Sequence, residues 1–132
     1  MKKTFLLTLI AVLFAACQES LEERCAKEVS LYNKKNCPAK LSENIFMDSV
    51  AFEPSTHTIS YYYTLTGVAD TTLTEKQQEV KDALLNELKN TPSMDMYKEA
   101  DYNFHYRYMS QKRPNQVLYD LLFTPKDYKK AE

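Results

Sequence analysis

The side chains with the widest chemical repertoire in this 132-residue chain are three cysteines, Cys17, Cys25 and Cys37, and two histidines, His57 and His105. Cys25, Cys37, His57 and His105 would make four zinc ligands in number, but a zinc module uses short paired Cys or His spacings and none occurs here. The two imidazoles therefore read as surface groups, His57 in or beside a turn and His105 on the polar side of an alternating segment. A hydrolase needs a nucleophile, a base and an orienting group, and neither a nucleophile-elbow pattern nor HExxH is present. The paired acids Glu22 and Glu23 sit where a helix N-terminus attracts negative charge, which accounts for them without catalysis. No catalytic residue, metal site or cofactor is expected. Cys25 and Cys37 are a candidate disulfide in an oxidising compartment. A helix from Cys25 to Lys35 would, however, hold its ends about 15 Å apart at about 1.5 Å per residue, against roughly 7 Å between bonded Cα atoms. Bonding needs the helix to stop early or the chain to fold back, and buried free thiols are the alternative.

Composition narrows the classes further. One Gly, ten Tyr, six Phe and no Trp leave little chain for a glycine-rich phosphate loop or a flexible linker, but ample aromatic material for a core. Without Lys2 and Lys3 the 17 basic side chains become 15 against 18 acidic ones, a net charge of −3. The basic excess of a nucleic-acid partner is missing. Once 16 residues are removed as a leader, about 116 remain, one ordinary domain and too few for a multidomain enzyme.

That leader is the clearest signal in the chain. Met1-Lys2-Lys3 is a short basic start, and Phe5 to Phe14 is an apolar run broken only by Thr8, so residues 1–16 read as an export signal. A lasting membrane span needs about 20 apolar residues, and Gln18, Glu19 and Glu22 follow at once. The sequence Phe14-Ala15-Ala16-Cys17 resembles the lipobox of bacterial lipoproteins, with Phe where Leu is usual. The resemblance implies that Cys17 becomes the new N-terminus and carries a diacylglycerol and an amide-linked acyl chain, and more than one chain gives stable anchoring to a membrane. Soluble secretion fits worse, because ordinary signal-peptidase cleavage would put Phe14 or Leu13 where a small side chain is preferred. In that family an Asp after the Cys retains the protein in the inner membrane; Gln18 differs, which implies the outer membrane.

Residues 17–19 then form a short tether, and residues 20–132 a single domain. Ser20-Leu21-Glu22-Glu23 reads as a capping box. Leu21, Cys25, Val29 and Tyr32 form one stripe of a helix running to about Asn36, where Pro38 stops it. A strand follows from Asn44 to Phe52, with Phe46, Val50 and Phe52 on one parity. The clearest strand spans Thr58 to Thr66, with Ile59, Tyr61, Tyr63 and Leu65 on one face. Thr72 to Glu75 offers a second capping box, opening a helix to about Lys89 whose stripe is Val80, Ala83, Leu84 and Leu88. Tyr102, Phe104, Tyr106 and Tyr108 alternate with Asn103, His105, Arg107 and Met109; after a polar turn, Val117, Tyr119, Leu121 and Phe123 alternate with Leu118, Asp120 and Leu122. The order αββαββ predicts a two-layer α+β sandwich of two helices on a four-stranded, mainly antiparallel sheet.

The sheet face away from the helices would carry Tyr62, His105, Arg107, Met109, Leu118 and Leu122, a mixed polar and apolar surface of the sort that binds partners. The segments Tyr32-Asn33-Lys34-Lys35-Asn36-Cys37-Pro38, Ser60-Tyr61-Tyr62-Tyr63-Thr64-Leu65 and Tyr106-Arg107-Tyr108 resemble, in order and spacing, small exported lipoproteins of uncharacterised function from Bacteroidota. That resemblance covers most of the chain after Cys17 and carries over no activity or site. The expected function is a lipid-anchored cell-envelope protein that binds an envelope protein or an exported ligand without catalysis. A small envelope enzyme or metal-dependent protein using His105, and a structural or scaffolding lipoprotein, are the alternatives.

Overall fold

The computed structural model describes residues 19–129. The export signal over 1–16 and Cys17 lie outside the described residues. Helix α1 (Leu21–Asn36) begins where the Ser20 hydroxyl accepts the Glu23 N–H at 3.1 Å, has Glu22 and Glu23 in its first turn and Lys34 and Lys35 in its last, and ends before Pro38. Of its stripe, Cys25 is buried, Leu21 and Val29 are half-buried and Tyr32 is exposed. The chain continues through β1 (Ala39–Ser42), β2 (Ile45–Glu53) and β3 (Thr58–Leu65). It then runs through α2 (Gly67–Thr72), a 3-10 turn (Leu73–Glu75), α3 (Gln77–Asn90), a second 3-10 turn (Pro92–Met94) and α4 (Asp95–Glu99), and ends with β4 (Asn103–Ser110), β5 (Val117–Phe123) and α5 (Pro125–Tyr128).

The α+β class is as expected, but the sheet has five strands rather than four, in the order β1-β2-β3-β4-β5. The pairs joined by short turns are antiparallel, whereas β3 and β4 are parallel. The long helical passage between them allows this, because a crossover returns the chain in the same direction while a hairpin reverses it. Four-residue β1 is too short and too exposed to leave a periodic signal.

Two bulges alter the expected faces. The β2–β3 register skips Asp48 between Met47 and Ser49, which inverts the alternation beyond it. Met47 and Val50 therefore share the core side, and Phe46 leaves it, with the Lys40 ammonium 6.0 Å from its ring centre. In β5 the register passes from Tyr119 to Val117 and leaves Leu118 without a cross-strand partner. Leu118 is buried in the core, not on the outer face where alternation placed it.

The second capping box is also replaced. The chain becomes helical at Gly67, before Thr72, and the Thr72 hydroxyl donates to the Val68 carbonyl at 2.9 Å. Gly67, the only glycine of the sequence, has a φ of 51°, and a Cβ there would lie 2.6 Å from Asn44 Oδ1, so both conformation and space select glycine. Along α3, Leu88 is buried, while Leu85 joins Val80 and Leu84 against the core and Ala83 faces solvent. Among the described residues no helix is long and apolar enough to cross a membrane.

Candidate functional site

The core face of the central strands is unusually rich in tyrosine. Parallel register sets Tyr61 opposite Tyr106 and Tyr63 opposite Tyr108, and both pairs stack, with ring centres 5.0 and 4.7 Å apart and planes within 14°. The helices above do not close over this floor. Helix α1 packs on β2, and α3 packs against β5 and α5. Between the two helices, over β3 and β4, lies a groove of about 590 Å³. Cys25, Val29 and Tyr32 of α1 form one wall, Leu84, Glu87 and Leu88 of α3 the other, and Met94, Met96 and Tyr97 close one end.

The groove combines apolar walls with a few polar groups. Tyr61 directs its hydroxyl at Met94 Sδ, 3.9 Å away, and Tyr63 and Tyr106 also line the groove. Burial pushes the pKa of all three tyrosines well above the ordinary value, with neighbouring tyrosines and Glu87 adding to the effect. They are neutral donors throughout the physiological range. Burial likewise pushes the Cys25 thiol up to about 11, helped by the charge of Glu28, so it is neither an effective nucleophile nor a ready metal ligand near neutrality. Burial raises Glu28, but hydrogen bonds from the Tyr97 hydroxyl at 2.6 Å and the Arg24 guanidinium at 3.0 Å outweigh it and hold its pKa below the usual range. These properties suit the binding of an apolar chain with a few hydrogen-bonding groups. Cys25 and Cys37 are both free thiols in the structure.

On the opposite face, Tyr62, His105, Arg107, Met109 and Leu122 come together as the alternation implied, without Leu118. His105 Nδ1 lies 3.0 Å from Ser60 Oγ, His105 Nε2 bonds Asp120 Oδ1, and Arg107 reaches Asp120 Oδ2 at 3.2 Å. Burial raises Asp120, yet Arg107 and His105 bring its pKa below the ordinary value. The line Ser60–His105–Asp120 has the residue types of a hydrolytic relay. However, β4 is paired on both sides, so its N–H groups belong to the ladder and are not free to hold a developing oxyanion. The cluster acts as a polar staple across three strands. Among the described residues no group of three or more His, Cys, Asp or Glu is placed to hold a metal ion.

His57 stacks on Tyr102, ring centres 4.9 Å apart, and bonds Glu22 at 2.6 Å, tying the start of α1 to the β2–β3 turn. The groove itself was not read from the sequence. Its available signal was the placing of Tyr61, Tyr63 and Tyr106, whose hydroxyls need partners, at positions where Leu or Val would fill a closed core.

A family model, a domain of unknown function (DUF8479), matches residues 20–119. No curated protein matches the sequence. Three solved structures share the fold. A Pseudomonas aeruginosa protein described as secreted has a TM-score of 0.67 at 13% identity, covering 85% of this chain and 100% of that one. The pilotin EpsS of the Vibrio vulnificus type 2 secretion system has a TM-score of 0.66 at 9% identity, covering 84% and 94%. The type II secretion system pilotin AspS of Vibrio cholerae has a TM-score of 0.61 at 13% identity, covering 86% and 97%.

Proposed function

The chain belongs to the DUF8479 family, and we propose that it is a lipid-anchored cell-envelope protein, without catalytic activity, whose groove between α1 and α3 holds an apolar segment of an envelope or exported protein. The observation that carries this is the groove of about 590 Å³ between α1 and α3, floored by Tyr61, Tyr63 and Tyr106 together with Met47, Val50 and Ile59. An apolar floor with a polar rim, here Arg24, Glu28, Glu87 and Ser93, is the arrangement of a protein-binding surface. Three methionines, Met47, Met94 and Met96, line it, and their unbranched side chains adapt to an incoming surface.

Anchoring through Cys17 is supported by Phe14-Ala15-Ala16-Cys17 and by the basic, apolar leader before it. With α1 starting at Leu21, only a few residues separate the anchor from the domain, which would therefore sit against the membrane. The shared fold of a secreted protein and two pilotins is consistent with an envelope location. The outer sheet face, with Leu122 51% exposed opposite His105, is the second candidate surface for a partner. It is less favoured because His105, Asp120 and Ser60 already satisfy one another.

Photo-crosslinking in intact cells separates the two surfaces. A photoreactive residue at Tyr32 is expected to give one discrete adduct, and one at Leu122 none. An adduct from position 122 alone moves the site to the outer face, and adducts from neither overturn the binding role. Intact mass of protein purified from membranes, beside Cys17→Ser, tests the anchor: an unlipidated mass, or retention of residues 1–16, overturns it.

A further inference from the structure

We infer that the groove selects a segment in which apolar residues flank a basic side chain, Lys or Arg, and that Glu87 sets this preference; the inference rests on the groove being the partner site. Three charged side chains line the groove: Arg24, Glu28 and Glu87. Two of them neutralise each other. Arg24 Nε lies 3.0 Å from Glu28 Oε1, and Glu28 Oε2 accepts the Tyr97 hydroxyl at 2.6 Å, so both oxygens of Glu28 are engaged. Glu87 differs. Thr91 donates to its backbone carbonyl, and its carboxylate has no ion pair or side-chain hydrogen bond among the described residues.

Glu87 is the uncompensated charge of the site, and it stands near the tyrosine floor, where its field contributes to keeping Tyr61, Tyr63 and Tyr106 protonated. In the free protein water solvates this exposed carboxylate. An apolar segment entering the groove removes part of that water, and a carboxylate losing its hydration needs a counter-ion or costs free energy. The neutral phenols of the floor donate hydrogen bonds but carry no positive charge. A Lys or Arg on the occupant supplies it, lays its alkyl stem along the Leu84 and Leu88 wall, and gains attraction from the faces of nearby tyrosine rings. A neutral or acidic segment leaves Glu87 half-dry and unpaired.

The test is selection of a displayed library of randomised peptides on the full protein, purified in detergent and immobilised. Recovered peptides are expected to combine apolar residues with Lys or Arg and to bind about tenfold more tightly than their Gln-substituted counterparts. That ratio is expected to fall to about one in Glu87→Gln and to reverse toward acidic peptides in Glu87→Lys. Glu87 is exposed on α3, so both variants keep the fold, checked by thermal melting. Apolar peptides without basic enrichment, or a preference unchanged in Glu87→Gln, overturn the role of Glu87 and leave the partner site standing. If every recovered peptide binds Val29→Trp, whose indole fills the groove, as well as wild type, the partner site falls and this inference with it.

Discussion

Asn33 carries both halves of its side-chain amide to one backbone residue. Its Nδ2 donates to the Val50 carbonyl at 2.7 Å, and its Oδ1 accepts the Val50 N–H at 2.8 Å. Strand β1 covers β2 only over Ile45–Met47, and the amide continues the ladder where the edge strand has ended. Asn33→Ala leaves two partly buried backbone groups without partners and is expected to cost about 1–3 kcal/mol in urea unfolding. Asp70 is a second residue whose role depends on distant chain. It accepts the Ser110 hydroxyl at 2.7 Å and the Lys112 N–H at 3.2 Å, pinning α2 to the β4–β5 turn. The Ser110 hydrogen bond, opposed by burial and aided by Lys112 and Arg113, holds its pKa below the ordinary value. A depressed folded-state pKa gives stability that is full above the unfolded-state value of about 3.9 and lost as pH falls through the folded value. Asp70→Asn is therefore expected to melt below wild type near neutral pH, the two curves converging in strong acid. Curves that stay equally separated at every pH would assign Asp70 a packing role alone. In sequence both residues are ordinary polar positions, because their partners lie 17 and 40 residues away.

At the scale of elements, local chemistry was a good guide wherever the signal itself was local. The Ser20 cap, the arrest of α1 before Pro38 and the strict alternation of β3 and β4 are contacts or periods within a few residues. Ser20→Ala removes the acceptor of the Glu23 N–H and is expected to cost about 0.5–2 kcal/mol, with faster amide exchange confined to the first turn of α1. Exchange that accelerates throughout the helix would show that the cap holds more than its own turn. Alternation failed at Asp48 and Leu118, where a bulge adds one residue to one strand, since periodicity assumes that none is added. Thr72 and Glu75 have the composition of a cap, but the helical turns already begun at Gly67 take Thr72 into α2, where its hydroxyl serves the Val68 carbonyl.

The whole molecule places α1 over β2 and α3 over β5, and the span between them is the groove. Filling that space should separate stability from function. Val29→Trp is expected to raise or preserve the melting temperature, because added apolar contact offsets the crowding, while abolishing the cross-link from Tyr32. A folded Val29→Trp protein that still gives the adduct would place the partner elsewhere. What the amino-acid order determined by itself was whatever depends on neighbours along the chain: the apolar leader and Cys17 after two alanines, the first helix and the larger part of both helix stripes, the alternating tyrosines, the hairpin turns and the α+β class. Only the tertiary structure decided the fifth strand, the parallel central pair, the two bulges, the burial of Leu118 and the gap above Tyr61 and Tyr106. The physical reason is that periodicity states which side of an element is apolar, whereas the distance between two helices on one sheet depends on how side chains far apart in sequence fill the volume between them.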